Sequence, residues 1–413
     1  MIVVTGVTGV IGQEVAKELV AAGHPVRAFV RNRKKGQGIF KDLKLEFAEG
    51  QFDDVASLEA AFRGAERVFL LTPVDPKQVE WNQNVIHAAR AAGVKQIVRL
   101  SGILAAPETP CEMLQLHGVC DEQLANSGLG YTILRPNSFY QNMFWLQSVI
   151  RARALFALPM KAAQQSLLDV RDIAAVAAKV LTDDVSAHDK QTYVLTGSEP
   201  LTYYEVAEKL SRATGKTITY LDITPEEAVR TMIGYGVPEW TAQTVVDFRK
   251  IIATGACAAT TDVVPRLLGR APRSFTDFAR ENAATFKPTT QENTMSDSPV
   301  TQSKDEPKTW RGYYEEIREV LTADPKRTVG VTGSWQFNLL GNDGGSFFVE
   351  IDDGKFRVEE GAVENPAVTI AMTKDDYIAM ASKKTPGGEL FMAGRMRVSG
   401  DAMLGMRAEA LFS

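Results

Sequence analysis

Three glycines at a spacing of three, Gly6, Gly9 and Gly12, stand near the head of the chain in the run Thr5-Gly6-Val7-Thr8-Gly9-Val10-Ile11-Gly12. An apolar run, Ile2–Thr5, precedes them and an amphipathic one, Gly12–Ala22, follows. In that strand–loop–helix setting each glycine has a task. Gly6 permits the tight turn, Gly9 lets the backbone approach a pyrophosphate, and Gly12 lets helix and strand pack closely. Thr8 and Ile11 complete the loop. Free N–H groups and the positive end of the helix dipole would then grip the phosphates of a dinucleotide. The competing reading is a purely structural glycine turn.

The next apolar run ends in Phe29-Val30-Arg31-Asn32-Arg33. A site selecting NAD would place an acidic residue here for the ribose 2′-hydroxyl. Arg31 and Arg33 stand there instead, and a guanidinium pairs with a 2′-phosphate through two parallel hydrogen bonds. The expected cofactor is therefore NADP(H). Asp53 is placed to bond the adenine amino group, and Thr72 ends a strand where the chain would pass the nicotinamide. Capping and turn formation are the alternative roles of these two.

At these residues the first 286 or so positions resemble the atypical short-chain dehydrogenases. They resemble in particular the NmrA-like group, which includes NAD(P)H:quinone oxidoreductases and redox-sensing regulators. Further support comes from Leu100-Ser101-Gly102, from Leu124–Pro136 (LANSGLGYTILRP) and from Asp169–Ala174. Typical members of the superfamily use Tyr-x-x-x-Lys, in which the tyrosine moves the substrate proton and the lysine lowers its pKa. By spacing from Leu124 and Ser127-Gly128, those positions fall on Met113 and His117. Met113 cannot donate a proton. His117 can, and it could also bond the ribose; equally, it could be a packing histidine. Ser101 could bond an acceptor carbonyl or simply end a strand. The resemblance also implies that Asn137, Phe139, Tyr140 and Asn142, after Arg135-Pro136, line the acceptor pocket, although such aromatics also serve packing.

Without the tyrosine–lysine pair, two functions fit. In the first, NADPH passes hydride to a quinone-like or other conjugated, apolar acceptor that needs no dedicated proton donor. In the second, the protein senses or scaffolds NADP(H) without chemistry.

The elements that must position these residues follow from apolar periodicity. Strands are expected at Ile2–Thr5, Val26–Val30, Leu45–Ala48, Arg67–Leu71, Gln96–Leu100 and Tyr131–Leu134, with helices at Gly12–Ala22, Val55–Phe62, Trp81–Ala92 and Gly118–Ser127. Strict β–α alternation implies an α/β fold of the Rossmann type, a doubly wound parallel sheet covered on both faces. Residues 181–286, more helical and with a short strand at Thr192–Leu195, read as a smaller substrate lobe. Asp172 is expected to cap the helix that opens at Asp169–Ala174.

Residues 288–307 (PTTQENTMSDSPVTQSKDEP) carry almost no large apolar side chains and read as a linker. The domain boundaries expected are thus 1–287, 288–307 and 308–413. After the linker comes a helix near Thr309–Thr322, then strands with Trp335, Phe337 and Leu339 on one face and Phe347, Val349 and Ile351 on another, joined by the turn Asn342–Gly345. Val368, Ile370 and Met372 continue the pattern, with helices near Asp375–Ser382 and Asp401–Phe412 and a strand at Arg395–Ser399 between them. This separate α+β domain resembles sterol carrier protein 2 through Gly333–Phe337, Phe347–Gly354, Asn365–Thr369 and Met392–Gly405. The resemblance implies a tunnel for a lipid or sterol-like ligand. Five of the twelve methionines, Met380, Met392, Met396, Met403 and Met406, fall in the last 34 residues, and methionine suits a cavity for varied apolar ligands or simply fills a small core.

A net charge of −5 without a basic stripe argues against a nucleic-acid partner. No apolar run is long enough to span a membrane. Three cysteines and four scattered histidines predict free thiols, a reducing cytoplasm and no metal. Oligomerisation is left open.

Overall fold

In the computed structural model, residues 1–288 and 309–413 are described, apart from 342, 383, 386, 388, 389, 391–394, 402, 403, 405–407 and 409–413. The chain divides into two compact units, Met1–Pro225 with Gln243–Thr289, and Glu226–Ala242 with Thr290–Ser413.

The first unit is organised by short strands. They are Ile2–Val4 (β1), Val26–Val30 (β2), Glu46–Glu49 (β3), Arg67–Leu70 (β4), Gln96–Leu100 (β5) and Gly130–Pro136 (β6). The central β1 and β5 are wholly buried, while β3 at the edge is partly exposed. Helices follow the first five: Val10–Ala21 (α1), Arg33–Ile39 (α2), Val55–Phe62 (α3), Gln78–Ala91 (α4) and Glu112–Ala125 (α5). Gln147–Arg153 (α6) and Val170–Thr182 (α7) come later, with Leu155–Leu158 (β7), Gln191–Leu195 (β8) and Thr219–Asp222 (β9). The main sheet has the order β3-β2-β1-β4-β5-β6-β8, and every pairing in it is parallel. Helix–sheet cores form on both faces, one around Val4, Val15, Leu19 and Ile173, the other around Val3, Phe62, Val85 and Ile97.

The expected α/β fold is therefore present, with two corrections. Residues 191–195 are the seventh strand of the main sheet, not part of the smaller lobe. That lobe is instead built on the two-stranded parallel pair β7–β9, with a core of Met143, Phe156, Tyr220 and Phe275. A second correction concerns α7. Asp169, not Asp172, is its N-cap, accepting from Arg171 N. Asp172 is fully buried and binds the side chains of Arg270 and Arg273, so it pins the lobe's later chain to α7.

In the second unit, β10 (Thr332–Leu340), β11 (Gly345–Asp352), β12 (Lys355–Glu360), β13 (Val368–Thr373) and β14 (Met396–Gly400) form one sheet in the order β12-β11-β10-β13-β14. Alternation puts Trp335, Phe337, Phe347, Val349, Val368 and Ile370 on its buried face, against the helices Trp310–Ala323 and Lys374–Ala381. Met380 and Met396 pack against this core, whereas Met392, Met403 and Met406 lie outside the described residues, as does most of the helix expected at 401–412.

Candidate functional site

The strand order reverses between β2 and β4 on either side of β1, which opens a crevice at the carboxyl edge of the sheet. Thr5 fastens this seam. Its backbone N–H and Oγ1 both donate to Phe69 O, at 3.0 and 3.2 Å, and Oγ1 accepts from Leu71 N at 2.8 Å. Immediately beyond lies the glycine loop. Gly6 has φ +61°, and a Cβ there would stand 2.8 Å from Leu71 Cγ. A Cβ at Gly12 would sit on the Gly6 carbonyl, 2.7 Å from its carbon and 2.8 Å from Val7 Cα. Both glycines are demanded by the protein's own packing. Gly9 is different: its φ of −85° suits any residue, and its Cβ would meet only Gly6 O at 3.3 Å.

Thr8, Gly9 and Val10 are exposed, whereas Ile11 and Gly12 are buried. Helix α1 has no side-chain cap and no acidic residue in its first turn, so its N–H groups are free to meet an anion. The parallel register that aligns Val4 with Ala28 puts the loop after β2 on the same edge. Arg31 is exposed there, and its guanidinium has no ion-pair partner among the described residues. Arg33 is also exposed, and its backbone N–H donates to Glu49. Asp53 accepts from Trp81 Nε1 and lies 3.9 Å from Lys77 Nζ. Thr72 is buried two residues beyond β4, and its hydroxyl accepts from Gln78 at 2.9 Å. An open cradle for phosphate and a free guanidinium thus fit NADP(H).

Along the other half of the edge, β5 leads into Ser101 and α5 carries Met113, His117 and Asp121. That helix starts six residues before the expected Gly118, which places all three on it. His117 and Asp121, one turn apart, face the sheet. There Arg99, buried near the carboxyl end of β5, donates to Asp121 Oδ1 at 2.5 Å and to His117 Nδ1 at 3.2 Å. Arg135 donates to Asp121 Oδ2 at 2.9 and 3.0 Å, and Ser101 donates its hydroxyl to the same oxygen at 2.8 Å. The Ser101 proton is therefore already in use. Burial, reinforced by Arg99 and Arg135, brings the His117 imidazolium down to about 3, so His117 stays neutral at ordinary pH.

The structure does not bring Asn137, Phe139, Tyr140 and Asn142 to one surface. Asn137 is buried, donating to Cys257 O and accepting from Gln165. Tyr140 is fully buried, donates to Arg273 O at 3.1 Å and lies edge-on to Phe275. Phe139 is half-buried against the main core, and Asn142 faces solvent. The segment ties sheet to lobe. The large apolar side chains exposed after β4, β5 and β6 are Val74, Leu104 and Trp145. Sequence reading missed all three, although each stands within ten residues of a strand's carboxyl end, where such sites are built. Among the described residues no His/Cys/Asp/Glu group could hold a metal, and no helix is long and apolar enough to cross a membrane.

A parallel sheet that reverses at a glycine loop, with an uncapped helix behind it, defines a dinucleotide-binding protein of the doubly wound class. The chain belongs to the NmrA-like family, whose model matches residues 1–258; the SCP-2 sterol transfer family matches residues 315–413. Over 286 residues the chain is 37% identical to the NAD(P)H azoreductase of Xenophilus azovorans, covering 69% of this chain and 99% of that protein. It is 27% identical over 272 residues to quinone oxidoreductase 2 of Escherichia coli, covering 65% and 94%. The solved structure of an NADPH-dependent quinone oxidoreductase from E. coli in complex with NADPH superposes with a TM-score of 0.62 at 25% identity, covering 68% of this chain and 99% of that one. Triphenylmethane reductase from Citrobacter sp., complexed with NADP(H), gives 0.61 at 25% identity, covering 68% and 100%.

Proposed function

We propose that this chain is an NADPH-dependent reductase that passes hydride to a planar, conjugated, apolar acceptor of the quinone or azo type. The observation that carries this reading is the uncapped start of α1 under its glycine loop, beside an Arg31 with no carboxylate partner among the described residues. The α1 amides and Gly9 would hold the pyrophosphate, and Arg31, with Arg33 beyond it, the 2′-phosphate. Asp53 and Thr72 lie along the adenine and nicotinamide halves of the same edge. When bound, the reduced nicotinamide supplies the hydride. The protein's share of the work is to orient a flat acceptor, with exposed Val74, Leu104 and Trp145 as its apolar wall and His117 and Ser101 as its polar one. The azoreductase and quinone oxidoreductase relatives support this acceptor class.

The domain boundaries fitting this reading are 1–287 and 308–413 joined by 288–307. The second domain would hold a lipid or other bulky apolar ligand, and its tethering would raise acceptor concentration near the nicotinamide. Three buried free thiols fit a reducing cytoplasm. The test is to mix the protein with NADPH and a panel of quinones and azo compounds and follow nicotinamide absorbance. Oxidation that depends on the acceptor is expected. Tight NADPH binding without oxidation by any acceptor would refute a reductase and leave a sensor.

A further inference from the structure

The polar cluster below the carboxyl edge of β5 has a direction built into it. A guanidinium N–H can only donate, so the 3.2 Å contact between Arg99 Nη2 and His117 Nδ1 makes Nδ1 an acceptor. The imidazole proton must then sit on Nε2. Arg99 cannot turn away, because Asp121 holds its Nη1 at 2.5 Å and Asn82 Oδ1 lies 3.4 Å from its Nε. Asp121 is itself held by Arg135 and Ser101. His117 Nε2 has no hydrogen-bond partner among the described residues, yet it is not one of the sealed, unpaired polar atoms; the residue keeps 8% of its surface. Its Cδ2, next to Nε2, lies 3.9 Å from where a Cβ on Gly102 would be, at the mouth of the β5 loop.

The geometry points to His117 as a fixed hydrogen-bond donor, with Arg99 and Asp121 as positioning residues that hold it in the Nε2–H tautomer facing the acceptor. This inference rests on the reductase reading and gives the histidine at the lysine position the role of a neutral donor. The acceptor gains the hydride's two electrons and its hydrogen, and the dinucleotide is left oxidised. The negative charge gathers on the acceptor's second heteroatom, a quinone oxygen or azo nitrogen. Nε2–H stabilises that charge by a hydrogen bond, the heteroatom takes its proton from water, and no proton leaves His117.

The charged groups around the ring are Arg99 from β5 and Arg135 from β6, with Asp121 of its own helix bonded to both arginines. Burial among them keeps the ring neutral, so the tautomer is expected to persist across the working range.

The full chain, without nucleotide, is labelled with nitrogen-15 histidine, and the His117 signals are assigned by their loss in His117→Gln. A neutral Nε2–H pattern that does not titrate from about pH 5 to about pH 9 is expected. An Nδ1–H pattern, or titration within that range, overturns the proposal. Arg99→Met, in which Arg135 still neutralises Asp121, is expected to release a mixture of tautomers, and an unchanged pattern overturns the positioning role. Should that variant not fold, the wild-type spectrum still decides. In the acceptor assay His117→Leu is expected to lose about 100-fold in kcat, the cost of one lost donor to developing charge, while His117→Gln, which keeps an N–H, loses less than about tenfold. Equal losses overturn the donor role. A wild-type chain with the Nε2–H pattern that oxidises NADPH with no acceptor refutes the reductase reading instead.

Discussion

Gly9→Ala separates what the ligand requires from what the fold requires. The added Cβ meets one atom, Gly6 O at 3.3 Å, and the backbone at φ −85° accepts alanine. Alanine is a poorer N-cap than glycine by about 0.5–1 kcal/mol, but it lowers the entropy of the unfolded chain by an offsetting amount of about 0.4–1 kcal/mol. The net stability change is expected to stay below about 1 kcal/mol. On the solvent side, the methyl group would crowd a phosphate held by the α1 amides as proposed. Losing one charge-assisted hydrogen bond costs about 1.5–3 kcal/mol, or about 10- to 100-fold in Kd. Gly12→Ala is the contrasting control. Its Cβ strikes only backbone, at 2.7 and 2.8 Å among other contacts, and overpacking of that kind costs about 1–3 kcal/mol of stability. Urea unfolding and calorimetry with NADPH measure the two quantities. Unchanged affinity in Gly9→Ala would refute the phosphate cradle. A stability loss equal to that of Gly12→Ala would refute the claim that only the ligand demands glycine there.

Arg31→Ala is expected to weaken NADPH about 10- to 100-fold and leave NADH nearly unchanged, read by calorimetry; an unaltered ratio removes Arg31 from the site. Tyr140→Phe loses the bond to Arg273 O and about 1 kcal/mol of stability, with acceptor KM unmoved; a shifted KM at constant stability would return Tyr140 to the pocket. For His117, the folded chain resists a proton that the unfolded chain takes below about pH 6.5. Stability is therefore lost as pH falls from about 6.5 toward 3. His117→Gln should lose less stability than wild type between about pH 6.5 and pH 4.5 in urea titrations, and equal losses would contradict the neutral, buried imidazole.

The sheet and its glycine loop were legible in sequence because their signals are local. Four- to six-residue apolar runs such as Val26–Val30 and Gln96–Leu100 sit between helix-period stretches, and the loop lies within eight residues. What escaped was set by distant partners. Leu155–Leu158 pairs with Thr219–Asp222, sixty-four residues on, and neither run alternates strongly enough to announce a strand. Asp172 follows a capping pattern but is claimed by Arg270 and Arg273 a hundred residues away. Asn137 and Tyr140 looked like pocket residues by resemblance, yet Cys257, Gln165 and Arg273 use their polar atoms. Arg99 reads as one charge in an apolar strand, and only the fold reveals that Asp121 and His117 meet it.

The sharing of Asp121 between Arg99 and Arg135 has an electrical consequence. With His117 uncharged, two cations face one anion, so a surplus positive charge is fixed beneath the crevice floor. In a poorly polarisable surrounding such a charge acts over several ångströms. A molecule docked above it becomes easier to reduce than the same molecule in water, because its electron-rich form is the one favoured. On the reading proposed above, weaker oxidants would thereby come within reach.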